Sequence, residues 1–238
     1  MTMIADHLHQ VRARIATATR SAGRPDDGVR LLAVSKTFDA PAVRAAFEAG
    51  LAAFGENYVQ EGVAKIEALA DLRERIEWHC IGPLQSNKTR AVAEHFDWVH
   101  GIDRLKIAQR LSEQRPAHLP PLQVCLQVDV DGGANKSGVG VVEAPALARA
   151  VAALPRLVLR GIMAIPEPAP DFEAQRALFL RATAVFESLR AEGLALDTLS
   201  MGMSADLEAA IAAGSTMVRV GTALFGGRPP RPDVAASA

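Results

Sequence analysis

Cysteine is nearly absent from this chain of 238 residues: only Cys80 and Cys125 occur, each inside an apolar run. A disulfide-stapled scaffold is thereby excluded, and the two thiols read as small core residues. Neither sign of charge is in excess, with 26 Lys and Arg against 27 Asp and Glu. The basic stripe of a nucleic-acid or anionic-membrane protein is therefore missing. No run of about 18 apolar residues occurs that could span a bilayer. The N-terminus lacks the continuous apolar segment of a signal peptide, so a cytoplasmic setting is expected. No Gly-x-Ser-x-Gly elbow supports a serine hydrolase. His79 has no partners at zinc-like spacing. Asp129-Val130-Asp131-Gly132-Gly133 begins like a calcium loop but lacks the later ligands, so it reads as a plain loop.

What is present is apolar residues, 49% of the chain, arranged in a cadence. Ile4, Leu8, Val11 and Ile15 recur at helical spacing and predict an N-terminal amphipathic helix. A transit peptide competes, but Asp6 speaks against it. Arg24-Pro25-Asp26-Asp27-Gly28 is a turn. Strand-like runs follow at Leu31–Ser35, Ala53–Asn57, Trp78–Gly82, Asp97–Gly101, Leu122–Val130, Leu157–Ile165, Thr198–Gly202 and Met217–Gly221. Helical stretches at Pro41–Ala49, Val59–Ala70, Arg104–Gln114, Ala144–Ala153, Phe172–Ala191 and Ala205–Ala213 alternate with most of them. Strand–helix alternation means a parallel sheet covered by helices. Eight such units in this length fit an α/β, (β/α)8 TIM barrel with an extra N-terminal helix. An open doubly wound sheet would carry a Gly-x-Gly-x-x-Gly turn after the first strand, and none is there. One domain over 1–228 is expected, with a proline-rich, disordered tail over 229–238.

Barrels of this kind work at the C-terminal ends of their strands. Lys36 stands at such an end on the first strand, where partial desolvation would free its amine to attack a carbonyl; a solvated loop lysine is the plain alternative. The loops after the last two strands hold Ser200, Gly202, Ser204, Gly221 and Thr222, a composition suited to a phosphate, or to two ordinary turns with Ser204 capping a helix. A ligand bearing both an aldehyde and a phosphate would join the two places, and pyridoxal 5′-phosphate (PLP) is such a ligand. Arg219 lies within the last strand on the face of Gly221. It is either half of a structural ion pair or a donor to the ligand's ring nitrogen, which a guanidinium would leave unprotonated and weak as an electron sink. His79 is either a satisfied core residue or packs on a planar ring. Asn57 suits a polar pocket wall.

These residues lie in runs that resemble the pyridoxal-phosphate homeostasis proteins, single-domain relatives of the alanine racemase barrel. The runs are Leu32-Ala33-Val34-Ser35-Lys36-Thr37, Phe54-Gly55-Glu56-Asn57-Tyr58-Val59-Gln60-Glu61, Trp78-His79-Cys80-Ile81-Gly82-Pro83-Leu84-Gln85-Ser86-Asn87-Lys88, Asn135-Lys136-Ser137-Gly138, Gly161-Ile162-Met163-Ala164-Ile165-Pro166, Met201-Gly202-Met203-Ser204-Ala205-Asp206 and Met217-Val218-Arg219-Val220-Gly221-Thr222. The resemblance implies that Lys36 holds PLP as an internal aldimine. It implies that Ser200, Gly221 and Thr222 hold the phosphate with backbone help around Met201, that Arg219 faces the pyridine nitrogen, and that Asn57 and His79 flank the ring. Two departures stand out: Phe38 replaces a frequent second lysine, and Cys80 replaces a bulkier residue.

Two functions follow from the resemblance. One is a PLP-binding homeostasis protein, with delivery of PLP to apo-enzymes as its further role, rather than an enzyme. The other is a low-activity amino-acid racemase. A racemase needs an acid/base on each face of the substrate adduct, and the chain's only tyrosine is Tyr58. Lys136 is a candidate for a second adduct or for assisting release, against a solvated loop lysine. A monomer is expected.

Overall fold

A computed structural model of the chain describes residues 3–132 and 137–227. The expected tail and Lys136 lie outside them.

Eight strands close into a parallel barrel: β1 (Arg30–Val34), β2 (Ala53–Glu56), β3 (Glu77–Cys80), β4 (Trp98–Ile102), β5 (Leu122–Asp129), β7 (Leu157–Met163), β8 (Thr198–Ser200) and β9 (Met217–Val220). A two-residue strand, β6 (Val139–Gly140), pairs only with the end of β5 and stands outside the ring. Pairing of β1 with β9 and of β4 with β5 completes the circle. Both faces of these strands are covered, which is why they read as continuous apolar runs. Phe54, Trp78, Trp98 and Leu122 are among the largest side chains that are fully buried. Each such burial contributes on the order of 1.5–3 kcal/mol.

The outer ring follows from local signals. Helix α1 (Met3–Ser21) buries Leu8, Val11 and Ile15 of the expected stripe, with Ile4 partly buried and Ala18 added to it. It packs on α8 (Leu207–Ala212) and α9 (Thr222–Phe225). Arg14 of α1 reaches Glu208 at 2.8 Å and the Ser204 carbonyl at 3.0 Å. Asp39 caps α2 (Ala40–Glu48) by accepting from the Ala42 amide, with Pro41 in the first turn. Asp171 caps α7 (Phe172–Ala191) in the same way. The remaining helices are α3 (Val59–Ala68), α4 (Thr89–His95), α5 (Leu105–Gln114) and α6 (Ala144–Ala152).

Most observed strands end earlier than the sequence suggests. Ser35, Asn57, Gly82, Gly202 and Gly221 all fall just past the strand ends, at the C-terminal face. Strand β4 instead begins after Asp97, whose carboxylate accepts from the Trp78 amide and from Arg73. Helix α4 was hidden in the sequence behind the polar segment Ser86–Lys88, which forms one 3₁₀ turn. No helix among the described residues is long and apolar enough to cross a membrane.

Candidate functional site

Lys36 is half-buried just past the end of β1. Its loop is held in an unusual shape. Thr37 has φ 70°, the left-handed region that a β-branched residue enters only at a cost of order 1–3 kcal/mol. The Thr37 amide donates to the Glu61 carboxylate at 2.6 Å. Beneath it, the buried Lys65 ammonium donates to the Ser35 carbonyl and Glu56 at 2.8 Å each and to Glu61 at 2.6 Å. Ser35 Oγ adds a bond to Glu56 at 2.5 Å. Burial pushes the Glu56 carboxyl above its ordinary range, against the pull of Lys65. These residues act as a strut under the lysine loop. Sequence reading missed it, although Lys65 at i+4 from Glu61 was the available signal.

Beside Lys36, on the neighbouring strand, lies the turn after β9. Val34 is next to Gly221: a Cβ on Gly221 would stand 3.2 Å from the Val34 carbonyl, a tight approach that favours glycine. Helix α9 starts at Thr222, and among the described residues no protein carbonyl accepts from the Thr222 or Ala223 amide. Free amides at a helix start suit an anion. Asn57 is half-buried after β2, and its Oδ1 is buried with no hydrogen-bond partner. Thr37 Oγ1 is likewise unpartnered. Buried polar atoms are normally bonded, so two orphans beside Lys36 fit a site that a polar ligand completes.

The other expected residues occupy different places. Ser200 is fully buried, and its hydroxyl is engaged by His100 Nδ1 at 3.0 Å and Arg219 Nη1 at 2.8 Å. Met201 has its amide on the Met217 carbonyl at 3.1 Å and its carbonyl on Ser215 Oγ at 2.7 Å. Neither residue has a free group to offer a phosphate. Ser204, half-buried in the same loop, has a hydroxyl with no protein partner among the described residues, and it does not cap α8 because Asp206 stands there instead.

His79 does not reach the mouth. It is fully buried, its Nε2 lies 2.8 Å from Glu77 and its Nδ1 2.9 Å from His100 Nε2, and its ring stacks on Trp98 at 5.2 Å. Alternation along β3 and β4 turns Glu77, His79, Trp98 and His100 inward. Arg219 donates to the Ser200 carbonyl at 2.6 Å and the Ala164 carbonyl at 3.0 Å, with its Nε unbonded among the described residues. Among the described residues no carboxylate pairs with it directly. Burial pushes its guanidinium down to about 10, so it stays cationic at neutral pH. Burial pushes the Cys80 and Cys125 thiols up to about 12, which keeps them unreactive. Tyr58 is 53% exposed at the start of α3, outside this cluster.

Three comparisons bear on the whole arrangement. The family model described as alanine racemase, N-terminal domain, matches residues 7–229. The pyridoxal phosphate homeostasis protein of Pseudomonas aeruginosa is 60% identical over 228 residues, covering 96% of this chain and 97% of that one. The protein of the same name from Escherichia coli is 54% identical over 229 residues, covering 96% and 98%. PipY of Synechococcus elongatus, solved with PLP bound, superposes with TM-score 0.82 at 38% identity, covering 94% of this chain and all of its own. Alanine racemase of Corynebacterium glutamicum shares the fold at TM-score 0.63 and 20% identity, with this chain spanning 61% of it. The chain therefore belongs to the alanine racemase N-terminal domain family, among the pyridoxal phosphate homeostasis proteins.

Proposed function

We propose that this protein binds PLP reversibly and thereby maintains its intracellular supply, with Lys36 holding the aldehyde carbon as a Schiff base. The observation that carries the reading is the half-buried Lys36 at the end of β1, beside the turn after β9 where no protein carbonyl among the described residues accepts from the Thr222 or Ala223 amide. The PLP-bound relative of the same fold supports it. In this reading Gly221, Thr222 and Ser204 hold the phosphate. Asn57 Oδ1 and Thr37 Oγ1 gain partners from the ligand. Arg219 Nε donates to the ring nitrogen, and because a guanidinium does not readily give up its proton that nitrogen stays unprotonated. When bound, PLP supplies an aldehyde that condenses with an amine, losing water. The Glu61–Lys65–Glu56 strut keeps Lys36 presented to it.

Release follows when another amine displaces Lys36, and an apo-enzyme's lysine is the proposed recipient. The chain is proposed to act as a monomer.

Borohydride reduction of the PLP-loaded protein, followed by peptide mass mapping, tests the anchor. The expected result is a phosphopyridoxyl group on the peptide containing Lys36. Its absence in the presence of excess PLP rejects the Schiff-base reading. Incubation with D- and L-alanine then separates holding from racemisation, with no interconversion expected.

A further inference from the structure

The barrel interior holds a polar chain that the ligand site does not use. It starts at the N-terminal face, where Arg30 Nη2 donates to Glu77 Oε1 at 2.6 Å. Glu77 Oε1 is 2.8 Å from His79 Nε2, and His79 Nδ1 is 2.9 Å from His100 Nε2. His100 Nδ1 is 3.0 Å from Ser200 Oγ, which is 2.8 Å from Arg219 Nη1. His79, His100 and Ser200 are fully buried, and Arg219 is 4% exposed. The chain runs from one end of the barrel to the other through β3, β4, β8 and β9.

Its ends dictate its direction. A guanidinium only donates and a carboxylate only accepts. Burial pushes both imidazoles below their ordinary range, His100 well below, so each carries one proton. Glu77 then requires the His79 proton on Nε2. His79 Nδ1 must accept, so the His100 proton is also on Nε2. His100 Nδ1 accepts in turn from the Ser200 hydroxyl, whose oxygen accepts from Arg219. Every bond points from Arg219 toward Glu77. Bonds aligned in this way polarise one another. The other titratable groups facing the chain are Asp206 and the neutral Cys125 thiol beside Arg219, Asp97 beside His79, and Arg160 beside Glu77.

We propose that Ser200, His100, His79 and Glu77 are positioning residues for Arg219, forming one unidirectional hydrogen-bond chain that fixes where its guanidinium charge sits against the ligand's ring nitrogen. The inference rests on the PLP reading for its ligand, but the chain itself is testable without one. In that reading, Arg219 is the residue of the chain placed to meet the ligand. Among the described residues no carboxylate touches Arg219; Asp206 is the acidic group whose charge acts on it, and the chain fixes its orientation through Ser200.

Nitrogen-15 NMR of the histidine rings in the ligand-free protein tests the direction. Between about pH 6 and 8, both rings are expected neutral with the proton on Nε2. A proton on His100 Nδ1, or a doubly protonated His79, overturns the proposal. The PLP-loaded protein tests the consequence. His100→Phe removes the middle link without changing charge, while His100→Gln offers an amide that can accept from Ser200 and donate to His79. The pH midpoint of the bound ligand's visible absorbance is expected to rise by about half a unit or more in His100→Phe, because a loosened cation repels the ligand's proton less. It should return toward the parent value in His100→Gln. If His100→Phe does not fold, Ser200→Ala takes its place with the same expected rise. Bound PLP with an unmoved midpoint overturns the proposal and leaves the PLP reading intact. Failure of the parent protein to take up PLP overturns that reading instead, and the NMR result still decides the chain.

Discussion

Phe38 and Phe225 stack with ring centroids 4.8 Å apart and planes inclined by 26°. Phe38 lies two residues beyond Lys36, and Phe225 ends the short helix that begins after Gly221. One aromatic contact thus clamps the loop that carries the amine to the loop that would carry the phosphate. The departure noted in the sequence, an aromatic where relatives often have a second lysine, acquires a structural role.

The stack should be measurable. A double-mutant cycle of Phe38→Ala and Phe225→Ala is expected to give a coupling of about 0.5–1.5 kcal/mol in urea unfolding. PLP should also dissociate faster from Phe38→Ala. Additive stability losses would show that the contact carries no linkage.

Lys65→Met should be among the most damaging substitutions. It leaves Glu56 buried without its cation, a loss of roughly 3–5 kcal/mol at about pH 8. The deficit depends on pH with a definite sign. The folded carboxyl is already raised by burial. A group raised in the folded state contributes fully below its unfolded value, and that contribution is lost as pH rises through the folded one. Removing Lys65 raises the folded value further, so the deficit should shrink at about pH 5. Urea titrations giving equal deficits at both pH values would mean that Glu56 is not the affected group.

Glu77 has the opposite sign. Burial pushes its carboxyl up, but the hydrogen bond from His79 and the Arg30 guanidinium outweigh this and hold it down to about 2, against an ordinary 4.5. Its contribution is present above the ordinary value and is lost as pH falls toward the folded one. Glu77→Gln should therefore flatten the decline of the melting temperature between about pH 5 and 3. A decline as steep as the parent's would remove Glu77 from the acid response.

Gly82→Ala should perturb ligand retention more than a surface change could. A Cβ there would stand 2.3 Å from the Asn57 carbonyl oxygen and 2.9 Å from its Cα, so the backbone beside Lys36 must shift. A loss of ~1–3 kcal/mol in stability is expected, together with faster PLP loss. Gly227→Ala, where nothing lies within 4 Å of the added atom, is the control and should do neither.

The sequence by itself determined the periodic part of this protein. Apolar runs separated by alanine-rich helical stretches can bury both faces only in a parallel sheet with helices outside, and eight of them close. It also placed Lys36, Asn57, Gly221 and Thr222 at strand ends, because the change from apolar to small or polar residues marks where pairing stops. Tertiary structure alone decided which inward-facing polar residues meet. Ser200, taken from the sequence as a phosphate ligand, faces the interior and bonds Arg219 and His100 across the barrel. His79, read as flanking the ring, is engaged on both nitrogens from within. Strand alternation says that these side chains point inward. How high each one sits depends on barrel shear, a property of all eight strands together that no local run of residues encodes.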